Sequence, residues 1–316
     1  MKRTQALTRP DLGHQRFWFW RGWRVRYTYL KPTDPVAQRR TPMLLIHGFG
    51  ANLEQWRSNL VGWGQQRPVY ALDLLGFGHS QKPGILLGAE VWQAQVHDFW
   101  QAVIGQPVIL LGHSLGALVA LTATARQPAM AQELILLTLP LARQELVAGW
   151  IDRLARGVES LFATPLLLRP LFLAVRRPGF IRRVLTGIYQ VPERVDDQLV
   201  ELFTRPTLER GAARTLCYLV KSRTQEEFSD ITADLIQQVA VPILLLWGSQ
   251  DQVLPTAWAD QILQSNPHIT YRPIAGAGHC LYDEQPGAVD GEIQRWLVAV
   301  GGAESKPEVK QSRNAG

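Results

Sequence analysis

Cysteine is scarce in this chain. Cys217 and Cys280 are the only two among 316 residues, they lie in different neighbourhoods, and neither has metal-type spacing. A disulfide framework and a zinc module are therefore excluded as organising principles. A long uninterrupted apolar run is also missing. The longest one outside the strand-like segments, 161–175 (LFATPLLLRPLFLAV), is broken by Pro165, Arg169 and Pro170 and is too short to span a bilayer. The basic N-terminus has no apolar stretch and no small-residue cleavage site behind it, which argues against a secretory signal. There is no internal repeat. The net charge of +6 is unevenly placed: residues 1–40 hold ten Lys and Arg against Asp11 and Asp34, which leaves the remaining chain slightly acidic. That basic stretch is short and carries no recognised nucleic-acid motif, so no nucleic acid is expected as a partner. Its aromatic interleaving (RFWFWRGWR, 16–24) suits either contact with an anionic membrane surface or packing as a first strand, and packing is the preferred reading.

What is present centres on 107–117, PVILLGHSLGA. An apolar run of the kind buried on both faces of a sheet leads into Gly112-His113-Ser114-Leu115-Gly116, and 115–126 reads as a helix rich in small residues. A serine on so sharp a strand-to-helix turn has strained backbone angles and packs closely on both elements, so small residues are needed two positions to either side. Gly112 and Gly116 supply them. The turn lifts the Ser114 hydroxyl clear of the sheet and aims the Leu115 N–H at the place where an oxyanion would form, which makes Ser114 the candidate nucleophile.

Taken in order, 24–30 alternates as an edge-type strand. A buried strand at 43–46 runs into His47-Gly48-Phe49-Gly50, where Phe49 stands as the second oxyanion donor and Gly48 allows close approach. A helix is expected over 53–62, a strand over 68–73, a helix over 90–104 and a strand over 133–139. His79 reads as a loop hydrogen-bonder and His97 as structural. The strand–helix alternation then stops: 141–234 is helical, rich in Arg and Leu and punctuated by prolines. It resumes at 242–247 (PILLLW), and an insertion of this kind reads as a cap over the carboxyl edge of the sheet. Residues 143–183 carry eight arginines against three acids, so one cap surface is expected to be positive. Asp251 lies just past the resumed strand, where a carboxylate can orient an imidazole. A helix follows over 256–263, then a final strand over 269–274 with His279 in the loop beyond it, and a last helix over 286–300. The domain plan is a flexible basic arm over 1–16, a core formed by 17–140 and 236–300, a helical cap over 141–235 and a disordered tail over 301–316.

Ser114, Asp251 and His279 follow one another in the chain order of an α/β-hydrolase, each in a loop after a parallel strand. In the expected mechanism His279 takes the Ser114 proton, Asp251 holds the imidazole tautomer, and the Phe49 and Leu115 N–H groups hold the oxyanion. His113 joins Gly48, Gly112 and Gly116 as a supporting residue. This chemistry needs no cofactor and no metal. Residues 17 to about 299 resemble the α/β-hydrolase superfamily, which implies a mostly parallel central sheet flanked by helices. Within it FWFWRGWRVRY, LLIHGFGANLEQWRSN, ALDLLGFGHSQKP, the segment beginning at Asp98 and GHCLYDEQP resemble the chlorophyll dephytylase and pheophytinase group of plants and cyanobacteria. That resemblance implies hydrolysis of the phytyl ester of a chlorophyll-type pigment, and a cytoplasmic protein that associates peripherally with photosynthetic (thylakoid) membranes. Two positions depart from the group: His113 stands where pheophytinases usually have asparagine, and Leu281 where many relatives have proline. The first favours the dephytylase branch.

An apolar cap suits any lipophilic ester, so other such esters remain open as substrates. So does carbon–carbon bond hydrolysis of acidic diketones, which the cap arginines would serve. Haloalkane dehalogenases and epoxide hydrolases of the same fold use an aspartate nucleophile, and Ser114 argues against both. From another class, a receptor or scaffold on this fold would bind a hydrophobic ligand with negligible turnover.

Overall fold

Alternate residues of a strand face opposite ways, and in the central strands of this chain both sets are apolar. Leu44 and Ile46 of the third strand join one buried cluster, and Met43 and Leu45 join the other. Burying such side chains contributes roughly 1.5–3 kcal/mol each, so a sheet of this composition is stable only with helices on both faces. The computed structural model has that architecture, and it describes residues 12–146, 165–225 and 228–304.

Eight strands form one sheet: β1 (Arg16–Trp20), β2 (Trp23–Leu30), β3 (Met43–Ile46), β4 (Val69–Leu72), β5 (Val108–His113), β6 (Ala131–Leu137), β7 (Ile243–Gly248) and β8 (Thr270–Ile274). Their order is β1-β2-β4-β3-β5-β6-β7-β8. The β1–β2 and β2–β4 pairs are antiparallel and the others parallel. The fold is that of an α/β hydrolase, as the strand pattern implied. The helices are α1 (Leu60–Gln66), α2 (Ala89–Phe99), α3 (Leu115–Arg126), α4 (Arg143–Leu146), α5 (Pro165–Val175), α6 (Pro178–Ile188), α7 (Asp197–Thr204), α8 (Ala212–Arg223), α9 (Thr232–Gln238), α10 (Ala257–Ser265), α11 (Leu281–Glu284) and α12 (Pro286–Glu304). Helices α2, α3, α9 and α10 cover one face of the sheet, and α1 and α12 cover the other. Among the described residues no helix is long and apolar enough to cross a membrane.

Several boundaries differ from the sequence expectation. The arm expected over 1–16 is ordered at its end. The His14 N–H donates to Tyr29 O, Leu12 is buried, and Arg16 opens β1 with Arg16 opposite Tyr27. The aromatic stretch thus packs as the first strand, which makes β1 the sheet edge and moves 24–30 one place inward. Residues 1–11 of that arm lie outside the described residues. Helix α9 packs on α3 and α10, so the segment split at 235/236 belongs with the core. The last helix runs on to Glu304 where a tail was expected from 301, and 305–316 lie outside the described residues, as does 147–164 of the expected cap.

Helices α5–α8 lie between β6 and β7 in sequence and are tied to the core by polar bonds. Arg57 is central to them. Its guanidinium donates to both oxygens of the buried Asp283, to Asp196 at 2.8 and 3.0 Å and to Arg194 O at 2.9 Å. Asp283 also accepts from Ser58 Oγ at 2.6 Å and Tyr189 Oη at 3.2 Å. Burial alone would make the guanidinium easier to deprotonate, but the two carboxylates outweigh that and push its pKa above the usual arginine range.

Removing Arg57 would leave the Asp283 carboxylate buried and uncompensated. Arg57→Ala should therefore lower the unfolding free energy by about 3–5 kcal/mol, whereas Asp196→Ala, at the half-exposed end, should cost about 1–2 kcal/mol. Urea unfolding of the two variants checks the ranking.

Candidate active site

Strand β5 ends where its ladder does: Ser114 N–H still donates to Leu137 O at 2.9 Å, and then the chain turns. Ser114 has φ +52° and ψ −117°, one of three non-glycine residues with positive φ among those described. Holding a side-chain residue there costs on the order of 1–3 kcal/mol and requires over-determined surroundings. The surroundings supply this through close packing. A Cβ on Gly112 would lie 2.2 Å from Gly116 O, and one on Gly116 would lie 2.2 Å from Ile46 O and 2.5 Å from His47 O. The helix start is thus pressed onto both β5 and the end of β3. Leu115 opens α3, so its N–H is among those with no acceptor inside the helix. Phe49, Ser114 and Leu115 line one cavity of about 370 Å³, together with Leu118, Leu141, Leu254 and Trp258 and with the polar Arg143 and Arg223.

His279 Nδ1 lies 2.9 Å from Asp251 Oδ2, and the Asp251 carboxylate is fully buried. Asp251 Oδ1 accepts from Val253 N at 2.8 Å and Leu254 N at 3.0 Å, which fixes the carboxylate in its turn. An Nδ1–H bonded to a carboxylate leaves Nε2 of His279 as the ring's acceptor. His279 is brought to the elbow by His113, whose Nε2–H donates to His279 O at 3.0 Å with ring centroids 4.8 Å apart. Among the described residues no direct hydrogen bond joins Ser114 Oγ to His279; in ligand-free sites such contacts are often long.

The structure adds residues that sequence reading passed over. The buried Glu284 carboxylate accepts four backbone N–H bonds: Gly278 and Cys280 on either side of His279, and Gln190 and Val191 after α6. Burial nevertheless raises its pKa above the usual carboxylate range. His47 accepts from Leu74 N at 2.9 Å through Nε2 and meets Gly48 O at 2.8 Å through Nδ1, while Gln55 Oε1 accepts from Gly48 N. These bonds set the loop that carries Phe49. Asp73, at the end of β4, accepts from Leu53 N and His79 N at 2.7 Å each. The only sequence signals for the three were a polar residue at the end of a buried strand (His47, Asp73) and an acid five positions after the histidine (Glu284). His79, read as a loop hydrogen-bonder, bonds Glu209 across to the segment between α7 and α8, and His97 contacts Asp98 on α2. Among the described residues no group of three or more His, Cys, Asp or Glu is placed to hold a metal ion.

Residues 41–286 match the family described as the alpha/beta hydrolase fold. The chain belongs to the α/β-hydrolase family. Similar proteins include human 1-acylglycerol-3-phosphate O-acyltransferase ABHD5, 27% identical over 270 residues and 78% of this chain and 74% of that one. Epoxide hydrolase 3 of Xenopus tropicalis is 29% identical over 285 residues, covering 86% and 75%. Among solved structures, a bacterial membrane phospholipase A superposes with a TM-score of 0.71 at 22% identity, covering 91% and 86%. In this α/β hydrolase the residue at the strained turn between β5 and α3 is a serine.

Burial lowers the pKa of His47, and lowers that of His113 well below the usual value, with the neighbouring His279 adding to the effect. Both rings are therefore harder to protonate in the fold than in the unfolded chain. A depressed folded pKa means that their contribution is complete above an unfolded pKa of about 6.5 and is lost as pH falls towards the folded value, by up to about 1.4 kcal/mol per histidine per pH unit. Urea unfolding at pH 7.5 and 5.5 should show that loss, and His113→Asn should reduce it. An equal loss in both proteins would contradict the assignment.

Proposed function

We propose that this α/β hydrolase is a serine esterase acting on lipophilic carboxylic esters. The observation that supports it best is the strained Ser114 at the start of α3, facing a cavity shared with Phe49 and Leu115, with the Asp251–His279 pair held against the same elbow by His113. His279 Nε2 takes the Ser114 proton as Oγ attacks the ester carbonyl, Asp251 steadies the imidazolium, and the Leu115 and Phe49 N–H groups receive the oxyanion. Collapse releases the alcohol with the proton returned by His279, and water then frees the acyl group by the same steps in reverse order.

The apolar side of the cavity, from Leu118 to Trp258, favours a lipophilic acyl or alcohol arm, at about 0.8 kcal/mol per buried CH₂. The human relative bears the name of an acyltransferase on a glycerolipid phosphate, which is consistent with acyl-group chemistry. The phytyl ester of chlorophyll is the specific substrate we put forward, supported by the sequence stretches around β1–β2, His47, Asp73 and His279. Arg143 and Arg223 in the cavity lining favour a second reading, in which the substrate carries an anionic group, as the diketone acids of carbon–carbon bond hydrolases do.

Product release from chlorophyll a, pheophytin a, a short p-nitrophenyl ester and a diketone acid separates these readings. Ser114→Ala should lower kcat on the true substrate by about 10⁴-fold or more. Phytol release by the wild type that the variant loses would support the pigment reading, turnover of the short ester alone would remove it, and absence of turnover of all four would overturn the esterase.

A further inference from the structure

Helices α5 and α6 present apolar side chains to solvent. Leu171 and Leu173 on α5 are 55% and 51% exposed, and Phe180 and Val184 on α6 are 45% and 44% exposed. These do not substitute for inward packing, because other residues of the same helices do that. Phe172 is buried on α5, and Ile181, Leu185 and Ile188 of α6, spaced four and three apart, pack into the core cluster beneath. Phe180 and Val184, one turn apart, therefore form a second, outward apolar row on α6.

Basic charge surrounds that row. Residues 165–192 contain five arginines and no acidic residue. Arg182 is engaged with Asp197 and Val195 O, but among the described residues Arg169, Arg176, Arg177 and Arg183 have no acidic partner. Arg176 and Arg177 form the turn between α5 and α6, with the exposed leucines before them and Phe180 after. Exposed apolar side chains on a stretch of chain that carries arginines and no acid match the boundary layer of an anionic bilayer: the guanidinium groups reach lipid phosphates while the Leu and Phe side chains enter the acyl region. A protein partner of acidic surface would account for the charge but not for four exposed large apolar groups beside it.

We propose that the α5–α6 hairpin is a docking face for an anionic lipid bilayer. Phe172, flanked by the two exposed leucines, lines a small apolar cavity together with Phe49, the residue beside Ser114 in the main cavity. A docked bilayer would thus adjoin a cavity that shares Phe49 with the candidate active site. The docking itself is independent of any reaction there.

The test is co-sedimentation of the full chain carrying Ser114→Ala, so that hydrolysis cannot alter the lipid. The vesicles are phosphatidylcholine alone and an equimolar mixture of phosphatidylcholine with phosphatidylglycerol, each at low and high salt. Binding should favour the anionic vesicles and weaken with salt. Arg176→Gln with Arg177→Gln should lower the partition coefficient about 25-fold, on the basis of about 1 kcal/mol per basic residue. Leu171→Ser with Phe180→Ser should lower it by tenfold or more, and circular dichroism and melting temperature serve as controls for folding. The arginine pair keeps the proposal testable if the apolar pair misfolds. Absence of binding by the parent protein, or variants that bind as it does, would overturn the proposal. So would binding that survives both cap variants and disappears when Lys2, Arg3 and Arg9 become Gln, which would assign it to the N-terminal stretch. A concentration-dependent dimer lost in Leu171→Ser with Phe180→Ser, without vesicle binding, would assign the face to a second copy of the chain.

Discussion

Helix α3 meets β5 and the end of β3 with no room for a single methyl group. This contact at Gly112 and Gly116 is the constraint on which the rest of the site depends. It forces the turn residue between them into positive φ, and that residue is Ser114. The same contact brings the β3 end, and with it the His47–Gly50 loop, against the start of α3, so the two elements that contribute Leu115 and Phe49 to one cavity are positioned by one steric fact. A larger residue at either glycine would separate the helix from the sheet and relax the turn together, because both are consequences of the same approach. The cost of the strained serine is offset by burial around it, with Leu110, Leu111, Ala117 and Leu118 all in the core.

The histidine side of the site is held by polar bonds instead. His279 stands in a loop with no strand ladder of its own, and three groups fix it: Asp251 on the ring, His113 on its carbonyl, and Glu284 on the N–H groups of its neighbours. Glu284 also receives the N–H groups of Gln190 and Val191 just after α6, so the loop carrying His279 and the segment following α6 share one carboxylate. Asp283, next in the chain, does the same through Arg57 and Tyr189. Two adjacent acids thus tie the segment after α6 to the loop that carries His279, and Ile188 and Gln190 also pack closely on Gly278 in that loop.

Much of the core was legible because its signals are local. The double-faced apolar strands, the glycine frame around Ser114 and the order Ser114, Asp251, His279 are all properties of short stretches, and the structure brings those stretches to one edge of the sheet. Glu284, His47 and Asp73 were not legible as organisers because their partners are backbone N–H and C=O groups of other loops, which leave no mark on side-chain pattern. The misplaced boundaries have the same origin. Helix α9 looks like a continuation of the inserted helices, and only its packing on α3 and α10 assigns it to the core. Only Arg16 of β1 falls in the expected arm; the aromatic stretch reads as a first strand, and Arg16 to Trp20 pair with Tyr27 to Trp23, with Trp20 buried and its indole N–H donated to Asp98 at 2.7 Å.

A site built this way divides chemistry from selectivity. The residues that would transfer protons and hold charge are fixed by steric exclusion at the serine and by buried hydrogen bonds at the histidine, and of the inserted segments the one after α6 shares those bonds. The cavity wall is different: Leu141, Arg143 and Arg223 come from β6's exit and from α4 and α8, none of which takes part in the bonds that hold His279. Substitutions there can alter which acyl or alcohol group fits without disturbing the elbow. That separation is consistent with a core whose relatives bear names as different as an acyltransferase and an epoxide hydrolase: the turn residue sets the class of reaction, and the wall sets which group fits.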